Sequence, residues 1–136
     1  SMALQFAAEK FSREPYGNYE PMEKLTAEKE GRIMLCTQAL VKRLCDGVQN
    51  GENKNRLAYE FHSLLADMTA QACRIISERT DVKVCALSGG VFQNKLLLKM
   101  VKCRLEKMGL RVLIHSLVPA NDGGIALGQA FYLNEE

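Results

Sequence analysis

The second half of the sequence contains the same order of features in two places: a short apolar segment, a glycine-rich turn and then a helical pattern. The first copy runs from Lys83–Leu87 through Ser88-Gly89-Gly90 into a helix predicted over 92–108. The second copy runs from Arg111–Ile114 through a turn over 119–124 into a last helix. A strand, a helix and a second strand in succession predict parallel pairing, because the crossover helix returns the chain to the same edge of the sheet. We therefore expect both glycine-rich turns at one edge of a sheet.

The first half of the sequence supplies further helices and a predicted hairpin. Apolar residues recur at steps of three and four over 55–79, which predicts a long amphipathic helix. The other predicted elements are a helix over 3–14, a hairpin of strands Tyr19–Leu25 and Arg32–Cys36 joined by 28–31, and a helix over Thr37–Cys45 ended by Asp46-Gly47. The predicted fold class is α/β, with a mixed sheet and helices on its faces.

The length of 136 residues is that of one domain. Ser1-Met2 resembles a remnant of cloning, and Pro15, Gly17 and Pro21 mark a boundary after the first helix. We therefore divide the chain into a leading helix and linker over 1–15 and one lobe over 16–136.

Composition excludes several classes of protein. A hydrophobic share of 47% excludes disorder, and a net charge of +2 predicts binding neither to nucleic acid nor to a membrane surface. Five cysteines without a C-x-x-C pair predict reduced core thiols and a cytoplasmic location. Only His62 and His115 are present, so no helix carries two histidines for a metal; the role of His62 stays open.

The first glycine-rich turn, Leu87-Ser88-Gly89-Gly90-Val91-Phe92-Gln93-Asn94, can be read in two ways. Two glycines at a helix start let the backbone approach a ligand, and free N–H groups there favour an anion or a polar nucleotide group. Asn94, one turn into the predicted helix, could then bond a ribose or base. The alternative is that the turn is only a tight connection.

The second turn carries a carboxylate, Asp122, at or just before a helix start. It could be an N-cap, or it could face a nucleotide and metal crevice at the edge of the sheet where α/β proteins bind ligands. Neither G-x-x-x-x-G-K-[ST] nor G-x-G-x-x-G occurs, which excludes a P-loop and gives no dinucleotide fingerprint.

The two turns also carry a family resemblance. LSGGVFQN and VPANDGGIALGQA, with AYEFHSLLA upstream, closely resemble the carboxyl-terminal end of the hydrogenase maturation carbamoyltransferases, the HypF family. The resemblance covers about 16–133; the related enzymes that form threonylcarbamoyladenosine fit less well. It implies a ribonuclease-H-like lobe of the actin, sugar kinase and heat-shock ATPase fold, of which this chain looks like the second lobe.

The resemblance also implies an activity. In the family, carbamoyl adenylate made from carbamoyl phosphate and ATP gives its carbamoyl group to the C-terminal cysteine of a partner protein, HypE. The product becomes the cyanide ligand of the nickel–iron hydrogenase centre. By motif matching, Ser88, Gly89, Gly90 and Asn94 would line the adenosine pocket. Asp122 would ligate a divalent metal such as iron, zinc or magnesium.

The chain departs from the family at the metal. There, two further histidines in an H-x-x-x-H arrangement belong to the first lobe, and His62 and His115 do not have that spacing. We therefore expect a fragment that contributes half of the cleft, has no assignable catalytic residue and is inactive alone. Its expected partners are the missing N-terminal lobe and a HypE-like acceptor, with a homodimer of the fragment possible. The alternative is a stand-alone α/β nucleotide-binding or protein-interaction module without catalysis.

Overall fold

The fold is taken from a computed structural model, which describes residues 2–11, 26–29, 31–118 and 121–133, without the side chains of Asp122 and Leu133. The order of helices and strands is the predicted one, which confirms the α/β class. The elements are α1 Met2–Phe11, β1 Thr26–Lys29, β2 Arg32–Leu35, α2 Thr37–Gln49, α3 Lys54–Thr80, β3 Val84–Leu87, α4 Lys95–Lys107, β4 Arg111–Ile114 and α5 Ile125–Leu133. Short 3-10 turns over Gly90–Gln93 and Asp122–Gly124 precede α4 and α5.

Helix α3 is the axis of the molecule. Asn53 begins it, because its side-chain oxygen accepts hydrogen bonds from the N–H groups of Asn55 at 2.8 Å and Arg56 at 3.2 Å. The helix continues for 27 residues, about 40 Å at 1.5 Å per residue. It ends at Asp81, whose φ of 56° is left-handed. The predicted long helix is confirmed.

The core lies where α1, α2 and α4 pack against α3. Its largest fully buried side chains are Leu64, Met68, Leu105, His62 and Val101. Arg104 fixes α4 to α3: Nη2 donates to Ser63 Oγ at 2.7 Å, and Nε donates to Asp67 Oδ1. Helix α1 belongs to this core, since Ala8 is fully buried in it. The proposed division of the chain after residue 15 stays a prediction.

The strands form two separate pairs. β3 and β4 are parallel, as predicted, with Val84 opposite Arg111 and Leu87 opposite Ile114. β1 and β2 form an antiparallel hairpin in which Lys29 lies opposite Arg32. The prediction was one mixed sheet. In the described part of the chain, the parallel and the antiparallel pairing instead belong to two separate pairs of strands.

Two predicted boundaries were wrong. The segment 28–31 was expected to be the hairpin connection, yet Glu28 and Lys29 belong to β1, because Lys29 pairs with Arg32. The earlier positions 19–25, predicted as the first strand, lie outside the described residues. Helix α2 was expected to end at Asp46-Gly47 and continues to Gln49, because Gly47 packs closely against Leu57 of α3.

The burial of the second half differs from expectation. β3 was predicted as a buried strand, but Val84 and Ala86 are exposed and only Leu87 is buried. Cys45 and Cys103 are exposed rather than core thiols. Among the described residues, no helix is both long enough and apolar enough to cross a bilayer.

Candidate functional site at the ends of β3 and β4

The strands that lead into the two glycine-rich turns end side by side. Leu87 and Ile114 are the last paired residues of the parallel strands, so Ser88 and His115 leave the sheet together. Ser88 Oγ lies 2.8 Å from His115 Nε2, within hydrogen-bond distance, and both side chains are exposed. The predicted parallel pairing is confirmed, and a direct side-chain contact joins the start of the first turn to the segment that leads into the second. A meeting of the two turns themselves stays a prediction.

The first turn presents open backbone. Gly89 has a φ of +97°, a conformation that a side chain would strain. No described atom beyond the chain neighbours lies within 4 Å of where a Cβ would stand on Gly89 or Gly90. A ligand could therefore approach this backbone as closely as the glycine pattern predicts.

Asn94 has a position different from the one predicted. The helix begins at Lys95, so Asn94 is its N-cap rather than a residue one turn inside. Its side-chain oxygen accepts from Leu97 N at 3.0 Å, and its Nδ2 lies 2.7 Å from His62 Nε2. The early helix start was wrong because a 3-10 turn over Gly90–Gln93 takes up the first residues.

His62 is a buried partner of this turn. Its Nδ1 lies 2.7 Å from Ala58 O, a carbonyl that can only accept, so Nδ1 carries a proton. Nε2 then accepts from the amide of Asn94 in a neutral imidazole. With 2% of its surface exposed, His62 supports the turn from within the fold.

A pocket of about 320 Å³ opens between the first turn and the segment that follows β4. Phe92 and Gln93 line it from the first turn, and His115, Leu117 and Val118 line it from the chain after β4. The volume is at the low end of the range of about 300–1,000 Å³ usual for small-molecule sites. The residues predicted to bind nucleotide, Ser88, Gly89, Gly90 and Asn94, border the same turn but do not line this pocket.

The second turn is capped by Asn121, which precedes the predicted residue Asp122. Asn121 Oδ1 accepts from Gly123 N at 3.0 Å, and Asn121 O accepts from Gly124 N at the same distance. Asp122 begins the short turn, but its side chain lies outside the described atoms. Its predicted role as a metal ligand stays a prediction.

The donor set of the described residues does not by itself fit a metal ion. No group of three or more His, Cys, Asp or Glu side chains converges within the described ranges. Divalent cations need several oxygen, nitrogen or sulfur ligands. Any metal held at Asp122 would therefore need ligands beyond the side chains that the structure describes.

His115 is the site residue that sequence reasoning missed. With no histidine at i+4, it matched no metal motif, and its partner is 27 positions away. The sequence did contain a signal for the contact of these two residues. Ser88 and His115 each follow the last residue of a predicted parallel strand.

Comparison with known proteins identifies the family. The family model described as "Carbamoyltransferase, Kae1-like Domain, second subdomain" matches residues 1–129. The carbamoyltransferase HypF of Rhodobacter capsulatus is 41% identical over 80 residues, which are 59% of this chain and 11% of that protein. The probable carbamoyltransferase HypF of Methanocaldococcus jannaschii is 29% identical over 96 residues, 71% of this chain and 12% of that protein.

Two solved structures share the fold. A full-length HypF in a phosphate- and nucleotide-bound form superposes with a TM-score of 0.81 at 30% identity, covering 98% of this chain and 17% of that one. HypF of T. kodakarensis superposes with a TM-score of 0.72 at 27% identity and the same coverage. This chain thus spans only a small part of the length of these relatives. Because the family model matches residues 1–129, the chain belongs to the HypF carbamoyltransferase family, in the second subdomain of the Kae1-like domain.

Proposed function

We propose that this chain forms half of the nucleotide cleft of a hydrogenase maturation carbamoyltransferase. The observation that carries the proposal is the contact of Ser88, in the first glycine-rich turn, with His115, in the segment that leads to the second turn, at one sheet edge in a chain of this family. The carboxyl ends of parallel strands are where α/β proteins bind nucleotides.

The first turn would hold the adenosine part of the ligand. The open backbone of Gly89 and Gly90 permits close approach, and Ser88 stands at the same edge. One Nδ2–H of Asn94 is directed at His62, so Asn94 would offer its second amide hydrogen to ATP or carbamoyl adenylate. The nucleotide-bound form of a solved relative supports this choice of ligand.

The second turn would supply one metal ligand. A carboxylate at Asp122 suits a divalent cation such as magnesium, iron or zinc, and a bound cation would neutralise phosphate charge. The remaining ligands would come from the N-terminal lobe, where the family carries two histidines in an H-x-x-x-H arrangement. This requirement is why we propose that the chain alone is inactive.

The complete enzyme would act in the cytoplasm on a protein acceptor. Carbamoyl adenylate, made from carbamoyl phosphate and ATP, would pass its carbamoyl group to the C-terminal cysteine thiol of a HypE-like protein. The residues of this chain would bind and orient the adenylate between the two turns, and the other lobe would close the cleft.

The proposal is tested by assaying carbamoylation of the acceptor. The chain is mixed with ATP, carbamoyl phosphate and a HypE-like protein, and the acceptor cysteine is examined by mass spectrometry. We expect no product from the chain alone and full modification with the Rhodobacter capsulatus enzyme. Product formed by the chain alone would contradict the proposed inactivity.

A chimera then tests the contribution of this chain. It replaces the matching C-terminal segment of the Rhodobacter capsulatus enzyme, and we expect the chimera to transfer carbamoyl groups. Asp122→Asn should abolish that transfer and leave the thermal unfolding unchanged, whereas Asp46→Asn, on the exposed face of α2, should leave both the transfer and the thermal unfolding unchanged. Transfer retained by Asp122→Asn would overturn the assignment of Asp122 to the metal.

A further inference from the structure

Two of the cysteines lie against each other, away from the pocket. Cys73 on α3 and Cys85 on β3 have their sulfur atoms 3.8 Å apart, and both are free thiols. Both are half-buried and pack against the main core cluster. In contrast, Cys45 and Cys103 are exposed.

We infer that Cys73 and Cys85 are a site of reversible oxidation, whose disulfide ties α3 to β3 behind the first glycine-rich turn. A disulfide needs its sulfurs at about 2.05 Å, so the pair must close by less than 2 Å. Rotation of the two side chains is the movement that the proposal requires, because a cysteine sulfur swings about a single bond.

The chemistry needs a two-electron oxidant, which we take to be a peroxide. Hydrogen peroxide oxidises one thiol to a sulfenic acid and releases water. The second thiol attacks that sulfur, loses its proton and displaces a second water as the S–S bond forms. In sum, two thiols and one peroxide give one disulfide and two waters. A dithiol reductant returns the two protons and two electrons.

The environment distinguishes the two thiols. Burial, with the neighbouring Cys85 as a smaller cause, raises the pKa of the Cys73 thiol to about 11. The thiolate is the form that attacks a peroxide, so a raised pKa makes Cys73 slow to react first.

The position of the pair gives the bond a structural effect. Cys85 lies three residues before Ser88, and α3 already supports the far side of the turn through His62 and Asn94. Oxidation would add a covalent bond between α3 and β3, three residues before Ser88. The oxidised chain should hold β3 against α3 more firmly than the reduced chain.

Peptide mapping tests the inference directly. The reduced chain is treated with hydrogen peroxide, its remaining thiols are blocked with iodoacetamide, and it is digested with trypsin. Cleavage at arginine and lysine leaves Cys73 in peptide 57–74 and Cys85 in peptide 84–95. We expect these two peptides to be joined and to separate on addition of dithiothreitol. Two separate peptides that carry alkylated or over-oxidised thiols would overturn the inference.

The matched variants remove competing disulfides. In a Cys45→Ser/Cys103→Ser chain, in which both exposed thiols are gone, the cross-link should still form, and the chain should stay monomeric on a non-reducing gel. The oxidised form should unfold at a higher temperature than the reduced form. Adding Cys73→Ser should abolish both the cross-link and this temperature difference. A difference that persists in that variant would mean that oxidation acts elsewhere.

Discussion

Asn94 joins two helices through one amide group. Its oxygen caps α4 at Leu97 N, while its nitrogen donates to His62 of α3. His62 is buried and uses its other nitrogen on Ala58 O. The amide thereby satisfies the hydrogen bonding of a buried ring nitrogen and of a helix end together. Asn94 therefore stabilises the fold in addition to any contact it makes with a ligand.

Replacing Asn94 should separate these two roles. Asn94→Ala removes the cap, at about 1 kcal/mol, and leaves a buried nitrogen without its partner, at about 1–3 kcal/mol. Asn94→Ser can still cap, so it should lose only the second part. Urea unfolding measures both free energies. An Asn94→Ser chain as stable as the natural chain would show that the contact with His62 contributes nothing, and equal losses in the two variants would show that the cap contributes nothing.

Arg43 gives the clearest dependence of stability on pH. Its guanidinium bonds Glu52 at 2.8 and 3.0 Å and Glu60 at 2.9 Å. The hydrogen bond from Arg43 lowers the pKa of the Glu52 carboxyl below its ordinary value of 4.5. A lowered folded-state pKa stabilises the fold above the unfolded-state pKa, and this stability is lost as the pH falls through the folded-state value.

Glu52→Gln should therefore lower the melting temperature most near neutral pH. The difference from the natural chain should shrink as the pH falls below about 4.5, where Glu52 first becomes protonated in the unfolded chain, and should vanish below the lower folded-state pKa, where it is protonated in both states. Glu78→Gln is the control, because Glu78 forms only an exposed pair with Arg74 at 3.7 Å and such pairs contribute little. A Glu52→Gln difference that is constant from pH 7 to pH 3 would contradict this prediction.

At the scale of elements, the contact between α2 and α3 depends on one glycine. A Cβ on Gly47 would stand 2.5 Å from Leu57 Cδ2 and 2.8 Å from Arg43 Nη1. Leu57 is buried, and Arg43 is held by two carboxylates, so neither side chain moves aside without loss. This close approach also explains why α2 runs through a glycine that by itself suggests a helix end.

Gly47→Ala and Gly128→Ala should change stability in opposite directions. Alanine favours a helix by about 1 kcal/mol over glycine, which should stabilise α5 at Gly128, where no described atom crowds a Cβ. At Gly47, overpacking of about 1–3 kcal/mol should exceed that gain. Thermal unfolding of both variants decides the matter. A stabilised Gly47→Ala would show that α2 and α3 can separate freely.

The helices were predictable because their signals are local. The apolar stripe over 55–79 and the glycine at Gly109, with φ of +79°, describe α3 and the end of α4 closely. The hairpin was less predictable, because β1 contains the polar residues Glu28 and Lys29, and its alignment depends on pairing with β2. Glu28 also forms an ion pair with Arg79 of α3, in which Oε2 lies 2.6 Å from Nη2.

The site was predictable to the level of its two strand ends. Their neighbouring position follows from parallel pairing, which the order of elements implies. The partners of Ser88 and Asn94 depend on tertiary packing: His115 is 27 positions from Ser88, and His62 is 32 positions from Asn94. Helical periodicity put His62 at the flank of the apolar stripe, but α4 covers that flank and buries it.

At the scale of the whole molecule, the second half leaves apolar surface uncovered. Each α5 side chain that the structure describes is exposed, including Ile125 at 57% and Phe131 at 68%. Leu113 and Ile114 of β4 are also more than 40% exposed. Exposed apolar patches of this kind mark interaction surfaces.

We therefore expect the isolated chain to self-associate. Sedimentation velocity should show a mass that rises with concentration, and Phe131→Lys on α5 should weaken this association. Val48→Lys, which changes an exposed valine on α2, is the control and should leave the association intact. A chain that stays monomeric at every concentration would contradict the expectation of a homodimer.

The central position of α3 also determines how the amide hydrogens of the molecule exchange with solvent. Helices α1, α2 and α4 and both strands of the hairpin pack against it, so any one of them can open while α3 keeps its other contacts. Opening α3 removes the support of all of them at once. Amides near Leu64, Ala66 and Met68 should then exchange only when the whole molecule unfolds, whereas the exposed α5 exchanges by local fraying. The protein thus combines a slowly exchanging axis with a surface helix that is the first to open.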